Sequence, residues 1–213
     1  MQFSEFVSRL SKINNLPLPG KEAQFKMAPM ERIKELKKAD IEKQNPRQAG
    51  VMALFYPNKK GETYMILMLR RTYKGVHSNQ VGFPGGKVED EDENIEATAL
   101  RETEEEIGVS RKRITVVRKL TNIYIPPSNF WVQSFIGTTS ETPNFIPQED
   151  EVEALIEVPL SELLSDEVLI TQTLTTSYAV NITVPAFELQ GHVVWGATAM
   201  MLSEVKELLV QVL

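Results

Sequence analysis

The chain of 213 residues has no cysteine, which excludes disulfide bridges, thiolate metal sites and a cysteine nucleophile. It has two histidines, His77 and His192, too few and too far apart in sequence to suggest a metal pair. Positive charge is also short. The formal net charge is −6, and a broad nucleic-acid surface, which would need a basic face to neutralise phosphates, is not expected. No apolar run approaches the roughly 20 residues that span a bilayer, so no membrane partner is expected either. The opening Met1-Gln2-Phe3-Ser4-Glu5 lacks a basic segment followed by an apolar one, and the expected location is the cytoplasm. What is present is ordinary for a globular protein: 42% hydrophobic and 24% charged residues, enough for one domain with an appendage. An acidic protein that handles phosphates is expected to do so through a metal ion.

Residues 1–45 read as a helical extension. Phe3, Phe6, Val7, Leu10 and Ile13 recur at helical spacing, Ile33 and Leu36 mark a second, charged helix, and Pro17, Pro19 and Gly20 break the pattern between them. From Ala49 the pattern changes to short apolar runs. Val51 to Tyr56 and Tyr64 to Leu69, separated by Asn58-Lys59-Lys60-Gly61, predict a hairpin-like pair of strands. Further strands are predicted at Ile114 to Val117, Trp131 to Ile136, Val152 to Val158 and Tyr178 to Val184, and helices at Ile95 to Ile107 and Ala197 to Val212. The mixture implies α/β or α+β layers in one domain, residues 46–213, behind the extension. The last helix is apolar over a wide face and is read first as core, with a homodimer contact as the lesser reading.

The chemistry is concentrated between Gly85-Gly86 and Gly108-Val109. A glycine turn feeds an acidic loop, Glu89 to Glu93, and then a helix on which Glu102, Glu105 and Glu106 stand at i, i+3 and i+4 and so share one face. Acidic residues on a helix usually form only its solvated side. Here three like charges repel unless a cation neutralises them, and Mg²⁺ or Mn²⁺ prefers such hard oxygen ligands together with phosphate oxygens. The opposite side, Ile95, Ala99, Leu100, Thr103 and Ile107, can dock on a sheet, and Gly108 supplies a stop.

The whole stretch resembles the Nudix box, G-x5-E-x7-R-E-U-x-E-E-x-G-U, where U is hydrophobic. Two departures stand out: six residues separate Gly86 from Glu93, which leaves open whether Asp92 or Glu93 takes the acidic position, and Thr103 fills an aliphatic slot. The resemblance implies a Nudix fold, a mixed sheet between helices. It further implies that Glu102, Glu105 and Glu106 hold the metal, that Arg101 orients a carboxylate, and that a diphosphate linkage is hydrolysed. A metal there would neutralise phosphoryl charge and lower the pKa of a bound water, so no covalent nucleophile is required. The general base is left among Glu102, Glu105 and Glu151.

The flanks bear on substrate. Leu67-Met68-Leu69, Arg71-Thr72 and Lys74, leading into Phe83-Pro84-Gly85-Gly86, resemble the segment L-L-T-x-R-S-x3-R-x3-G-x3-F-P-G-G of coenzyme A diphosphatases, with Asn79 in place of the last isolated glycine. Ala28-Pro29, Glu151-Val152, Val158-Pro159-Leu160 and the run Phe187 to Ala199 are similar to the same subfamily. This resemblance implies a small nucleotide-derived substrate, coenzyme A or an acyl derivative, cleaved to 3',5'-ADP and a 4'-phosphopantetheine moiety. Arg70, Arg71, Lys74, Phe83, Gly85 and Gly86 are the candidate substrate contacts, Arg70, Arg71 and Lys74 as cations for the diphosphate or 3'-phosphate. Phe83 and Trp195 are more often core residues than stacking platforms. The competing readings are a Nudix hydrolase of ADP-ribose, NADH or a dinucleotide, and a nucleotide-binding module without catalysis. Retention of all three glutamates speaks against the latter.

Overall fold

The computed structural model describes residues 1–72, 79–174 and 181–213. Helices α1 (Phe3–Leu10), α2 (Gly20–Phe25), α3 (Met30–Lys38) and α4 (Ile41–Gln44) precede the first strand. Strands β1 (Arg47–Pro57), β2 (Thr63–Arg70), β3 (Val81–Gly82) and β4 (Gly85–Lys87) lead to helix α5 (Ile95–Ile107). Then come β5 (Thr115–Lys119), β6 (Ile123–Ile125), β7 (Phe130–Thr138), β8 (Val152–Pro159), α6 (Leu160–Leu164), β9 (Leu169–Leu174), β10 (Ile182–Leu189), β11 (His192–Trp195) and α7 (Gly196–Val210).

The hairpin expected at Asn58 to Gly61 is present: β1 and β2 run antiparallel, with Phe55 opposite Met65. β1 also lies parallel to β7, which makes the sheet mixed, and it carries β4 antiparallel beyond the stretch paired with β2. The expected strands at 114–117, 131–136 and 152–158 are β5, β7 and β8 within one or two residues. The expected strand Tyr178 to Val184 is displaced. The observed β10 begins at Ile182 and extends to Leu189, pairing β9 and β11 in a separate three-stranded sheet, and Tyr178 lies outside the described residues. Phe187 and Leu189 are buried with Glu188 exposed between them, an alternation that marks this strand.

The period-two alternation of β1 divides the core. Met52, Leu54 and Tyr56 belong to the cluster beneath α5, whereas Ala49, Val51, Ala53 and Phe55 join Phe3 and Phe6 of α1 and Leu202, Val205 and Leu209 of α7 on the other side. Residues of the N-terminal segment are thus part of the main apolar core. α7 is buried around nearly all of its circumference within this chain, which accords with the core reading of that helix.

The N-terminal segment is held to α7 by polar contacts as well. Glu204, fully buried, accepts from Gln24 Nε2 at 2.9 Å, from the Thr121 N–H at 3.2 Å and from the Gly20 N–H at 3.3 Å. Ser203 Oγ donates to Ala23 O at 2.8 Å. A buried carboxylate satisfied by several donors is costly to leave unpaired, so these bonds fix where the segment lies.

Candidate active site

The site is built at the N-terminal turn of α5 and along its carboxylate face. Asn94 caps the helix, its Oδ1 accepting from the N–H groups of Glu96 and Ala97 at 3.0 Å. Gly108 ends it in the left-handed conformation, as the sequence predicts. Thr103, fully buried, donates through Oγ1 to Ala99 O at 2.6 Å, so its hydroxyl is satisfied while its methyl fills the apolar slot.

Arg101 organises the loop before the helix. Its Nε and Nη2 grip Asp92 in a fork at 2.9 and 3.0 Å, and Nη2 also donates to Lys87 O at 3.1 Å. Asp92 accepts in addition from the Glu89 N–H and from Thr98 Oγ1, and these donors, above all the guanidinium, hold its carboxyl far below the usual range. Asp92, not the exposed Glu93, therefore takes the acidic position that the extra loop residue left open. The same arginine's Nη1 reaches Glu102 at 3.0 Å and Glu105 at 2.9 Å.

The second arginine is Arg70, at the end of β2. Its Nη2 donates to Gly85 O at 2.8 Å and its Nη1 lies 3.3 Å from Glu106, which is almost wholly buried and also accepts from the Gly85 N–H at 2.6 Å. Burial pushes the Glu106 carboxyl up to about 7 despite these donors, and burial likewise raises Glu102. β4 runs between the two arginines with almost no side-chain bulk. Gly85 has φ +147°, and a methyl there would come within 2.4 Å of Gly50 O. A methyl at Gly86 would come within 2.4 Å of Glu102 Cδ, so that carboxylate rests against bare backbone.

Glu151 approaches the same place by a route no local pattern discloses. The Ile146 and Gln148 N–H groups cap the open carbonyls of Ile107 and Glu106 at 3.0 and 2.9 Å, docking the loop on the end of α5. The loop then delivers Glu151 near enough for its charge to raise both Glu102 and Glu106.

Among the described residues, no three histidine, aspartate or glutamate side chains are gathered closely enough to hold a metal ion by themselves. The donor set is an open one: Glu102 partly covered, Glu105 about half exposed, Glu106 buried, Glu151 exposed. Mg²⁺ and Mn²⁺ fit it, since Mg²⁺ binds through one or two carboxylates and completes its shell with waters and substrate oxygens. Burial is the main cause of the upward shift of Glu102 and Glu106, with Arg101 and Arg70 opposing it.

Beyond β4, on the side of the sheet away from α5, lies a cavity of about 290 Å³. Ala49, Val51 and Val132 form its sheet wall, and Gly85 to Lys87 form the rim toward the carboxylates. Met27, Pro29, Arg32 and Leu36 come from the N-terminal arm, Tyr124 and Phe130 from the β6–β7 turn, and Trp195 and Met200 from β11 and α7.

Of the candidate substrate contacts, Arg70, Phe83, Gly85 and Gly86 all line this cavity. Arg71 does not; it is exposed and pairs with Glu153 at 3.2 Å. Lys74 and His77 lie outside the described residues. Sequence reasoning missed Asp92 as the partner of Arg101, the pairing of Arg70 with Glu106, and the whole N-terminal wall. Ala28-Pro29, similar to the coenzyme A diphosphatase subfamily, was a signal of that wall, since Pro29 lines the cavity.

The NUDIX domain model matches residues 46–175. The chain is 34% identical over 130 residues, 60% of its length and 45% of the relative's, to "Nudix hydrolase 15, mitochondrial" of Arabidopsis thaliana. It is 35% identical over 104 residues, 49% of its length and 52% of the relative's, to "Uncharacterized Nudix hydrolase NudL" of Yersinia pestis (strain Pestoides F). The chain thus spans about half the length of these curated relatives. Among solved structures, a Nudix hydrolase from M. smegmatis, RenU, superposes with TM-score 0.52 at 15% identity, covering 79% of this chain and 88% of that one. A MutT/nudix family protein from Enterococcus faecalis gives 0.51 at 17%, covering 86% and 75%. At such identities these two speak for the fold alone. No helix among the described residues is long and apolar enough to cross a membrane.

Proposed function

The chain belongs to the Nudix family, and on that premise we propose that it is a metal-dependent hydrolase of a diphosphate linkage in a nucleotide derivative, with coenzyme A or an acyl-coenzyme A as substrate. The observation that carries the reaction is one arrangement: an acidic helix face set against a two-glycine strand that opens onto a cation-lined cavity. Support for coenzyme A comes from the Phe83 to Gly86 segment and its flanks, which resemble those of coenzyme A diphosphatases.

In this reading Glu102, Glu105 and Glu106 hold Mg²⁺ or Mn²⁺. A bound dication neutralises charge on the phosphoryl oxygens and supplies a water of lowered pKa. Arg101 keeps Glu102 and Glu105 oriented from its Asp92 anchor, and the bare backbone at Gly85 and Gly86 lets a diphosphate come close to the carboxylates. Arg70 holds Glu106 and the β4 backbone in register at the cavity rim. The general base is one of Glu102, Glu105 and Glu151, and Glu151 is favoured as an exposed carboxylate whose charge is felt by Glu102.

The test is chromatographic product analysis after incubation with Mg²⁺ or Mn²⁺ and, in parallel, coenzyme A, its 3'-dephospho form, ADP-ribose and NADH, with Glu105→Gln as control. The expected result is 3',5'-ADP and a 4'-phosphopantetheine product from coenzyme A, preferred over the others and lost in the control. Preference for ADP-ribose or NADH would retain the chemistry and replace the substrate. Metal-dependent binding without cleavage of any of the four would replace the enzyme by a nucleotide-binding module.

A further inference from the structure

The cavity differs in charge from the chain that forms it. In a protein of net charge −6, its lining contains Arg32, Arg70 and Lys87 and, among the described residues, no aspartate or glutamate. Such a lining favours an anionic guest. Two of the three cations belong to the wall beside the carboxylates. Arg70 is bonded to Gly85 O and Glu106, and Lys87 ends the strand that begins with Gly85. They serve a diphosphate lying at the metal-binding face.

Arg32 comes from a separate wall, on α3, ahead of the region matched by the family model. Its side chain is only 12% exposed, an uncommon degree of burial for an arginine. Glu35 holds it at 2.6 Å from the next turn of the same helix, and Glu35 itself is half exposed to solvent. A surface carboxylate of this kind is screened by water and is a weak competitor for a guanidinium. The arm is not loosely attached, because Gln24 and Gly20 are bonded to the buried Glu204 and Ala23 to Ser203. Arg32 is therefore held in advance of binding, with a planar fork suited to phosphate.

We propose that Arg32 reads a second phosphate of the substrate, one outside the scissile diphosphate, and that the N-terminal arm thereby sets which nucleotides are accepted. This rests on the coenzyme A reading, in which the 3'-phosphate is that second group. Glu35, the exposed carboxylate paired with Arg32, competes with the phosphate for the guanidinium.

The test measures kcat and KM for coenzyme A and its 3'-dephospho form, and calorimetric binding of 3',5'-ADP and 5'-AMP, in the wild type, Arg32→Gln, Arg32→Lys and Glu35→Gln. The wild type should favour the 3'-phosphorylated member of each pair. Arg32→Gln should cut that preference about ten- to a hundredfold, mainly through KM and Kd, as expected for one charged hydrogen-bonded contact, with Arg32→Lys intermediate. Glu35→Gln, which alters an exposed group and carries little folding risk, should strengthen 3',5'-ADP binding a few-fold, which a purely structural arginine would not do. A wild-type preference that survives unchanged in Arg32→Gln overturns the inference and leaves the coenzyme A reading standing. If Arg32→Gln does not fold, unchanged 3',5'-ADP binding in Glu35→Gln overturns it by itself. Absence of any wild-type preference overturns both readings.

Discussion

The two sides of the central sheet handle charge in opposite ways. Under α5, Glu102 and Glu106 are drawn out of solvent beside Arg101 and Arg70, and burial raises both carboxyls. Across β4, the cavity has cations on two walls and, among the described residues, no carboxylate. The separation between them is a strand of glycines, thin enough for a ligand on one side to meet a cation on the other. A diphosphate bridged by a metal needs negative ligands and positive walls within a few ångströms, without the two neutralising each other first. In the proposed function, carboxylates and cations on opposite faces of β4, with Glu106 and Arg70 paired across it, would meet that need.

Thickening the partition should have the largest effect. Gly85→Ala puts a side chain at a positive φ and within 2.4 Å of Gly50 O, and should cost about 4 kcal/mol or more in chemical denaturation. Next comes the anchor of the acidic side. Asp92→Asn leaves Arg101 without its carboxylate fork and should lower stability by about 3 kcal/mol, whereas Glu93→Gln should stay within about 0.5 kcal/mol; equal effects would mean that Asp92 does not hold the loop. Because the Asp92 carboxyl lies lower in the folded chain, its contribution is present above the ordinary carboxylate range and is lost as the pH falls below it.

The crossing pair carries a pH signature of the reverse sign. Glu106 is raised from 4.5 to about 7, so the folded chain binds the proton more tightly than the unfolded one. Metal-free protein should therefore lose stability between those two pH values, by at most about 3 kcal/mol, in thermal or denaturant unfolding. Glu106→Gln should flatten that slope, and an unchanged slope would assign it elsewhere. The smallest effect is expected at Arg71→Gln. Its partner Glu153 is as exposed as itself, it does not line the cavity, and both stability and KM should stay near wild type.

Most of the acidic side was legible in the linear chain. A helix places i, i+3 and i+4 on one face whatever surrounds it, so Glu102, Glu105 and Glu106 and the docking residues opposite could be assigned by counting. The glycine stop at Gly108 and the Asn58 to Gly61 hairpin are local in the same sense. The choice between Asp92 and Glu93 was not legible, because adjacent loop residues differ only in where the backbone turns them, and the Arg101 fork decides that. Nor did any pattern place β10, whose buried and exposed positions depend on pairing with β9 and β11.

By itself the sequence determined the acidic helix, the glycines that must adjoin it and the charge balance that makes a metal the natural partner for phosphate. Only the tertiary structure decided that Arg70 meets Glu106, that Glu151 is carried in by a loop docked on the end of α5, and that an arm ahead of the family-matched region walls the cavity with Arg32. The physical reason is range. Helix periodicity and turn chemistry act over a few residues, whereas these contacts join segments separated by tens of residues that come together only when burial of the apolar faces of β1, α5 and α7 closes the core.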